Sequence, residues 1–406
     1  TDSVRHSVNN SCATSVAALG SAIPTSPARV KWYALMVARG TSRAGRHSVL
    51  ESVRALLPAI AASATEVDRT GAVSPRVIAE LHDTGYFTLL KPAAFGGLDD
   101  PDAYLTATRE LASACVSTGW LAGWLAVNNW GLSVRNELVL QDIWGADPRA
   151  LLCASYAPTG RLDRVEGGFR LTGRWTRCIG APHASWLSVA ALRVDPDGGA
   201  QDFLAVLLPR SDYTVERTWN GLGLRGIGAD DAVVTGAFVP DHRAFSWLNL
   251  SFEGVPALDR LPQPAVFTMA GTLPLLGAAE RVLAARHPQP SGPLDEFALR
   301  RSDIELSIRQ TARNMADLVS CVTSGGYPDA ALMLRARRDQ VMAAERAARA
   351  VGAVVANPGD GTDSVLLERI WRDVQTGRMH VSSKVDQVLA VAGRFALGLD
   401  VDHLIW

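Results

Sequence analysis

From about residue 48 to 145 apolar positions recur near every 3.6 residues. Val49, Val53, Leu56, Leu57 and Ile60 line one face of a stretch that predicts a helix over Ser48–Thr70. Ser74-Pro75 reads as the start of a short second helix. The hydroxyl can cap it, and the ring suits its first turn. That helix ends near Gly85, Pro92–Gly97 reads as a loop, and Pro101–Cys115 begins another helix. From about 150 to 247 the pattern shortens to strand-length runs, at Leu151–Tyr156, Gly168–Trp175, Trp186–Val194, Phe203–Pro209, Tyr213–Trp219 and Asp231–Val239. Turn signals such as Glu166-Gly167-Gly168 and residues 195–199 separate them, which predicts a compact antiparallel barrel or sandwich. Beyond about 260 the helical period returns. Glu296–Thr323, Asp329–Ala356, Ser364–His380 and Lys384–Leu397 follow one another with short joints, as in a four-helix bundle. The expected organisation is α+β, with an N-terminal extension (1–45), a helical domain (46–149), a β domain (150–248) and a C-terminal bundle (249–406).

Composition narrows the classes. The 406 residues are 48% hydrophobic and 20% charged, with net charge −1, which excludes a disordered chain and leaves no electrostatic footprint for nucleic acid. Five scattered cysteines form neither a CxxC pair nor a disulfide frame, so a reducing cytoplasm is the expected compartment. Only Lys31, Lys91 and Lys384 are lysine among 40 basic residues, so the abundance of Arg reflects a GC-rich genome more than Arg chemistry. Residues 7–28 lack charge, but their apolar run is short and broken by Ser and Gly, so a loosely ordered extension is expected there rather than a signal peptide. Leu111–Val134 is uncharged over 24 residues, yet its Ser, Thr and Asn would need partners in lipid, which favours a buried helix.

Motifs with a fixed mechanism are absent: no GxGxxG opening a helix after a strand, no GxxxxGK[ST], no HExxH and no GxSxG. The eight histidines show no metal spacing. Asp99-Asp100 and Asp230-Asp231 read as solvated turns. Arg225, flanked by Leu224 and Gly226, reads alone as a turn residue, and His380 alone reads as a cation at a helix C-terminus.

Taken together and in order, short stretches carry a more specific signal. They are Leu81–Phe87 with Pro92…Gly97, Ser117–Trp120 with Asn129-Trp130, Trp144-Gly145, Ser155–Gly160, Gly173–Trp175…Gly180–Trp186, Pro209–Tyr213, Gly223–Gly228, Val239-Pro240, Arg335–Asp339 and Arg369–His380. Over roughly residues 50–400 the chain resembles the acyl-CoA dehydrogenase superfamily. Within it, the chain is similar to the two-component flavin-dependent monooxygenases, whose relatives act on phenols, polyketides, steroid-derived catechol precursors and amino-sugar nitrogens. The resemblance implies an oxygenase component that uses reduced FAD or FMN with O2. A C4a-hydroperoxyflavin would hydroxylate or N-oxidise an aromatic or polyketide natural-product intermediate, and a separate NAD(P)H flavin reductase would supply the flavin. It implies a homotetramer, no nucleic acid and no membrane. Residue by residue, it implies catalytic roles for His380 and Asn128. Flavin would be held by Ser155, Tyr156, Trp175, Cys178, Leu224, Arg225, Gly226 and Arg338, and substrate would meet Asn129, Trp130 and Ile179.

Two departures stand out. The resembling phenol hydroxylases place a His beside the Asn-Trp of the first domain, whereas this chain has Asn128, an amide that cannot act as a base near neutral pH. Where they place Ser-Ser after the strand Trp, near flavin N5, this chain has Cys178-Ile179. Two alternatives follow. A flavin-dependent acyl-CoA or carrier-bound acyl dehydrogenase would need a catalytic Glu, for which Glu345 and Glu368 are the bundle's candidates. A non-redox paralogue binding a ligand or partner would fit the two departures.

Overall fold

The computed structural model describes residues 43–132, 137–194, 200–246, 255–285 and 294–401. The expected extension lies almost wholly outside them, as does the turn at 195–199. The first segment is helical: α1 (Arg43–Thr70), α2 (Pro75–Asp83), α3 (Pro101–Ala114), α4 (Val116–Trp130) and α5 (Glu137–Trp144). Ser74 caps α2 by accepting from the Val77 N–H, with Pro75 in the first turn. The uncharged stretch after Leu111 breaks at Cys115 into α3 and α4, both of them interior.

The strands are β1 (Leu152–Val165), β2 (Gly168–Cys178), β3 (Trp186–Val194), β4 (Ala200–Pro209), β5 (Thr214–Glu216), β6 (Asp230–Pro240) and β7 (Ala244–Phe245). They form one sheet in the order β5-β6-β2-β1-β3-β4-β7. The sheet is mixed, which corrects the antiparallel expectation. β1 and β2 pair as a hairpin, but β3 returns along the other edge of β1 and runs parallel to it. One sheet face buries Leu162, Leu171, Trp175, Leu187 and Val206, and the other packs Leu152, Trp186 and Leu207 against Ile143 and Trp144 of α5.

Helices then return as α6 (Gln263–Phe267), α7 (Met269–Ala285), α8 (Leu294–Thr323), α9 (Ala330–Ala356), α10 (Ser364–Arg378) and α11 (Val385–Ala396). The bundle is built from α7, α8, α9 and α10. The 384–397 helix was expected as its fourth member, but α11 buries only Val388 and packs on the outside of α9. Its place is taken by α7, apolar on every side and buried almost throughout. Residues 263–285 are long and apolar enough to cross a membrane, and most of this stretch is buried within the protein. The first and last helical segments share a single core, which Leu224, Ile227 and Ile179 of the sheet segment also enter.

The acidic pairs also depart from expectation. Asp230 and Asp231 are buried; Asp230 accepts the Thr218 and Trp219 N–H groups at 3.0 Å each, and Asp231 pairs with Arg174 at 2.8 Å. Asp100 is buried as the N-cap of α3. A short polar side chain that satisfies backbone donors can be buried at little cost, and a sequence pattern does not show those donors.

Candidate active site

His380 follows α10 and opens the short turn Val381–Ser383. Its Nδ1 accepts the Ser382 N–H at 3.2 Å and lies 2.8 Å from Ser382 Oγ. Burial pushes the imidazole down to about 4, and the positive charge of Arg177 pushes the same way. The ring is therefore neutral at working pH. With Nδ1 accepting, the proton sits on Nε2, which is left as a donor. Trp124 packs on the imidazole at 4.9 Å between centroids and Trp120 at 5.7 Å, edge to face. Trp120 is itself fully buried against Gly377 and Leu275.

A chain of hydrogen bonds supports the His380 turn from behind. The Ser382 carbonyl accepts from Arg337 Nη2 at 3.3 Å, and Arg337 Nη1 donates to Gln340 Oε1 at 2.7 Å. Gln340 Nε2 donates to the Ala265 carbonyl at 2.7 Å, and the Thr268 hydroxyl donates to Gln340 Oε1. Burial pushes the Arg337 guanidinium down to about 10, so it stays charged inside the protein. Arg337 and Gln340 lie one turn apart on α9. Arg338, the residue expected at the flavin, lies beside Arg337 on α9. Arg338, half exposed, turns to Asp339 at 2.8 Å, while its neighbour points inward. Two adjacent arginines on a helix face different ways, and the motif alone does not say which is inside.

A second group of expected residues assembles where α4 meets β1. Asn128 Nδ2 donates to the Leu152 carbonyl at 3.2 Å, while its Oδ1 and that of Asn129 are buried without a partner among the described residues. The indole of Trp130 meets Phe267 at 5.8 Å, and Phe267 meets Tyr156 at 6.4 Å, both edge to face. Phe267 had no signal in the sequence, since a lone Phe in an apolar run reads as core. Ser155 Oγ donates to the Thr176 carbonyl at 3.1 Å, joining the ends of β1 and β2 at this level.

Other expected residues sit elsewhere. Trp175 is fully buried in the sheet core with its N–H on the Ala190 carbonyl at 2.7 Å, apart from the group around Trp130 and Phe267. The Cys178 thiol is likewise buried, held to its protonated form at about 12, and Ile179 enters the helical core. Leu224, Arg225 and Gly226 brace the sheet to the helices. The Leu224 N–H donates to Asp373 at 2.5 Å, and Arg225 Nε donates to the Asp68 carbonyl at 2.7 Å. Gly223 is required beside them, because a Cβ there would fall 2.1 Å from the backbone of Arg372. Glu345 is held by Arg349 and Arg378 at 3.1 Å each and Glu368 by Arg372 at 3.0 Å, so each dehydrogenase candidate is ion-paired rather than poised as a base.

The geometry agrees with the comparisons to known proteins. Family models of the acyl-CoA dehydrogenase N-terminal and C-terminal domains match residues 45–132 and 278–384. The flavin-dependent monooxygenase oxygenase subunit HsaA of Rhodococcus jostii (strain RHA1) is 34% identical over 382 residues, covering 87% of this chain and 99% of its own. This chain belongs to the flavin-dependent monooxygenase family. The crystal structure of the HsaA monooxygenase from M. tuberculosis aligns with a TM-score of 0.83 at 30% identity, over 89% of this chain and 100% of that one. XiaF from Streptomyces sp., in complex with FADH2 and glycerol, aligns with a TM-score of 0.82 at 25% identity, over 92% and 98%. Within the acyl-CoA dehydrogenase fold, then, this monooxygenase keeps the helix–sheet–helix order.

Proposed function

We propose that this monooxygenase is the oxygenase component of a two-component system. It takes reduced FAD or FMN from a separate NAD(P)H reductase and hydroxylates an aromatic ring of phenol or fused-ring type. The observation that carries the reading is a row of unsatisfied groups on one helix. Trp120 Nε1, Trp124 Nε1 and Asn128 Oδ1, at i, i+4 and i+8 on α4, are buried and have no partner among the described residues. Buried polar atoms are rarely left unpaired, so donors and acceptors in such a row fit a planar heteroaromatic ligand with polar edges. When bound, reduced flavin supplies the two electrons that split O2, one atom going to the ring and the other to water.

The chain's own groups divide the remaining work. His380 offers a neutral Nε2–H donor beside two indoles that exclude water, the condition under which a hydrogen bond to developing charge counts most. Ser382, Arg337 and Gln340 fix that ring's tautomer and position. Trp130, Phe267 and Tyr156 present an apolar aromatic wall that suits a flat substrate and supports ring hydroxylation over N-oxidation. Asn128 can orient a substrate oxygen through Oδ1 but takes no proton, so this reading pairs it with a substrate that needs no base.

The homotetramer also belongs to this proposal. Met379, Val381, Leu397 and Leu399 around α11 are each at least half exposed, an apolar face that further copies of the chain would cover. Cys115, Cys153, Cys178 and Cys321 are free thiols, which supports a reducing cytoplasm. The test is to bind reduced FAD or FMN anaerobically, add a panel of one-ring and fused-ring phenols, admit O2, and measure hydroxylated product against hydrogen peroxide released. Coupled product from the wild type, with a shift to peroxide in His380→Ala, supports the proposal. Failure of the wild type to bind either flavin in either redox state sinks it.

A further inference from the structure

His380 and Phe267 both pack on α4, yet neither belongs to it. His380 lies on Trp124, and Phe267 meets Trp130 six residues further along the same helix, about 9 Å of axial rise. His380 opens the turn after α10, whereas Phe267 ends α6. The spacing between the two side chains is therefore set by whatever holds those two segments together. With only five residues, α6 has little stability of its own, so its end is placed by contacts from outside.

The joint is the side chain of Gln340, 1% exposed on α9. Its Nε2 donates to the Ala265 carbonyl at 2.7 Å and its Oε1 accepts from the Thr268 hydroxyl, so it grips the chain on both sides of Phe267. The same Oε1 accepts from Arg337 Nη1 at 2.7 Å, and Arg337 Nη2 reaches the Ser382 carbonyl of the His380 turn at 3.3 Å. The amide works in one orientation only. Arg337 can only donate and the Ala265 carbonyl can only accept, so a flipped amide would set donor against donor and acceptor against acceptor. Arg337 is buried as well, and among the described residues its guanidinium bonds the neutral oxygens of Gln340 and Ser382. Gly271, one turn beyond Phe267, lets the start of α7 pack closely on the same turn, since a Cβ there would fall 2.5 Å from Ser382 Oγ.

We propose that Gln340 is a positioning residue that fixes the aromatic wall at Phe267 and the donor at His380 in one register, so that a bound phenol ring and the reacting oxygen meet at a set spacing. With the amide lost, His380 and Phe267 each keep their own contacts with α4, but no common support holds them to that spacing. The resulting fault is uncoupling. O2 still takes two electrons from reduced flavin, but with two protons it leaves as hydrogen peroxide and the ring stays unoxidised. The inference rests on the oxygenase reading above.

The test compares the full chain as wild type, Gln340→Glu, Gln340→Met and Arg337→Met, first with two readouts that need no flavin. Deuterium exchange of backbone amides over residues 263–268 reports α6, and exchange of the His380 ring C2–H reports the imidazole. Gln340→Glu keeps both bonds at Oε1 and gives Arg337 a carboxylate, but it turns an acceptor on the Ala265 carbonyl. Exchange over 263–268 should rise about 10-fold in this variant, with His380 changed less than about twofold. Arg337→Met should do the reverse, and Gln340→Met should speed both. With reduced flavin, O2 and 2-naphthol as the probe phenol, Gln340→Met should consume oxygen within about threefold of the wild-type rate while the share of product falls about 10-fold and peroxide rises to match. Both segments loosening together in Gln340→Glu, or neither in Gln340→Met, overturns the joint. A product share that is unchanged in Gln340→Met, or that falls only in step with flavin binding and thermal midpoint, makes Gln340 a structural residue and overturns its positioning role. Gln340→Glu carries the test if Gln340→Met does not fold. If the wild type binds no flavin, or hydroxylates neither 2-naphthol nor any other phenol of the panel, the oxygenase reading has failed and takes the positioning role with it, whereas the exchange readouts still decide the joint.

Discussion

Replacing His380 with Gln tests whether this imidazole is held neutral inside the protein. An exposed histidine titrates near 6.5, whereas burial among Trp120, Trp124 and the Ser382 turn holds His380 down to about 4. Between those values the unfolded chain takes up a proton that the folded protein refuses. The stability this group contributes is therefore complete above pH 6.5 and is lost as pH falls towards 4. At 1.36 kcal/mol per pH unit the loss is about 2 kcal/mol at pH 5 and about 3 kcal/mol at pH 4. Glutamine keeps an amide that can fill much of the same space but does not titrate. It removes the packing of the imidazole on Trp124, a cost that is the same at every pH. The difference in unfolding free energy between wild type and His380→Gln should therefore narrow by about 2 kcal/mol between pH 7.5 and pH 5. His82, which burial also pushes down to about 4, titrates alike in both proteins and cancels. Urea unfolding followed by far-UV circular dichroism at three pH values reads the difference directly. Parallel pH profiles for the two proteins would refute the neutral, buried imidazole and with it the tautomer assigned to Nε2.

Asp373 should behave with the opposite sign. Its carboxyl is pushed up to about 7 by burial, so its ionisation costs stability as pH rises from 3.8 to 7, and Asp373→Asn should gain up to about 4 kcal/mol above pH 7 and little at pH 4. Gly271→Ala places a Cβ 2.5 Å from Ser382 Oγ. A helix-propensity gain of about 1 kcal/mol offsets part of an overpacking cost of about 1–3 kcal/mol, so stability should change little while product coupling falls tenfold or more. Ser382→Ala keeps the backbone N–H that fixes the tautomer and should cost under about threefold in coupling. The double variant should recover most of what Gly271→Ala loses, because the clashing hydroxyl is gone, and no recovery would place the damage elsewhere. Arg372 holds both oxygens of Asp68 at 3.1 and 2.8 Å and the Leu222 carbonyl at 3.0 Å, tying α10 to α1 and the loop before β6. Arg372→Ala should lower the unfolding free energy by about 1–3 kcal/mol, measured by urea unfolding at low and high salt.

Local chemistry made much of this architecture legible before any tertiary contact was known. Ser74-Pro75 starts α2, Trp186–Val194 is β3 residue for residue, and Asp329 caps α9, because caps, fixed φ angles and short apolar runs are local signals. The order helix, sheet, helix was readable for the same reason, and His380 stood out within a set of matching stretches. Other features were not local. α7 is apolar on every side, so it has no 3.6-residue stripe to detect, yet it is the centre of the bundle. The parallel pairing of β3 with β1 depends on which edge a returning strand meets, and residue alternation does not encode that. Arg337 and Arg338 are equivalent in sequence, and only the packing of α9 buries one and exposes the other. Trp175, expected at the cofactor, lies in the sheet core because of the register of β2, while the end of α6 brings Phe267, for which no role was expected, against Trp130, which in turn neighbours Tyr156 across Phe267. By itself, then, the sequence determined most of the elements, their order and the family. Tertiary structure decided which side chains gather around His380, because burial and proximity come from segments far apart along the chain.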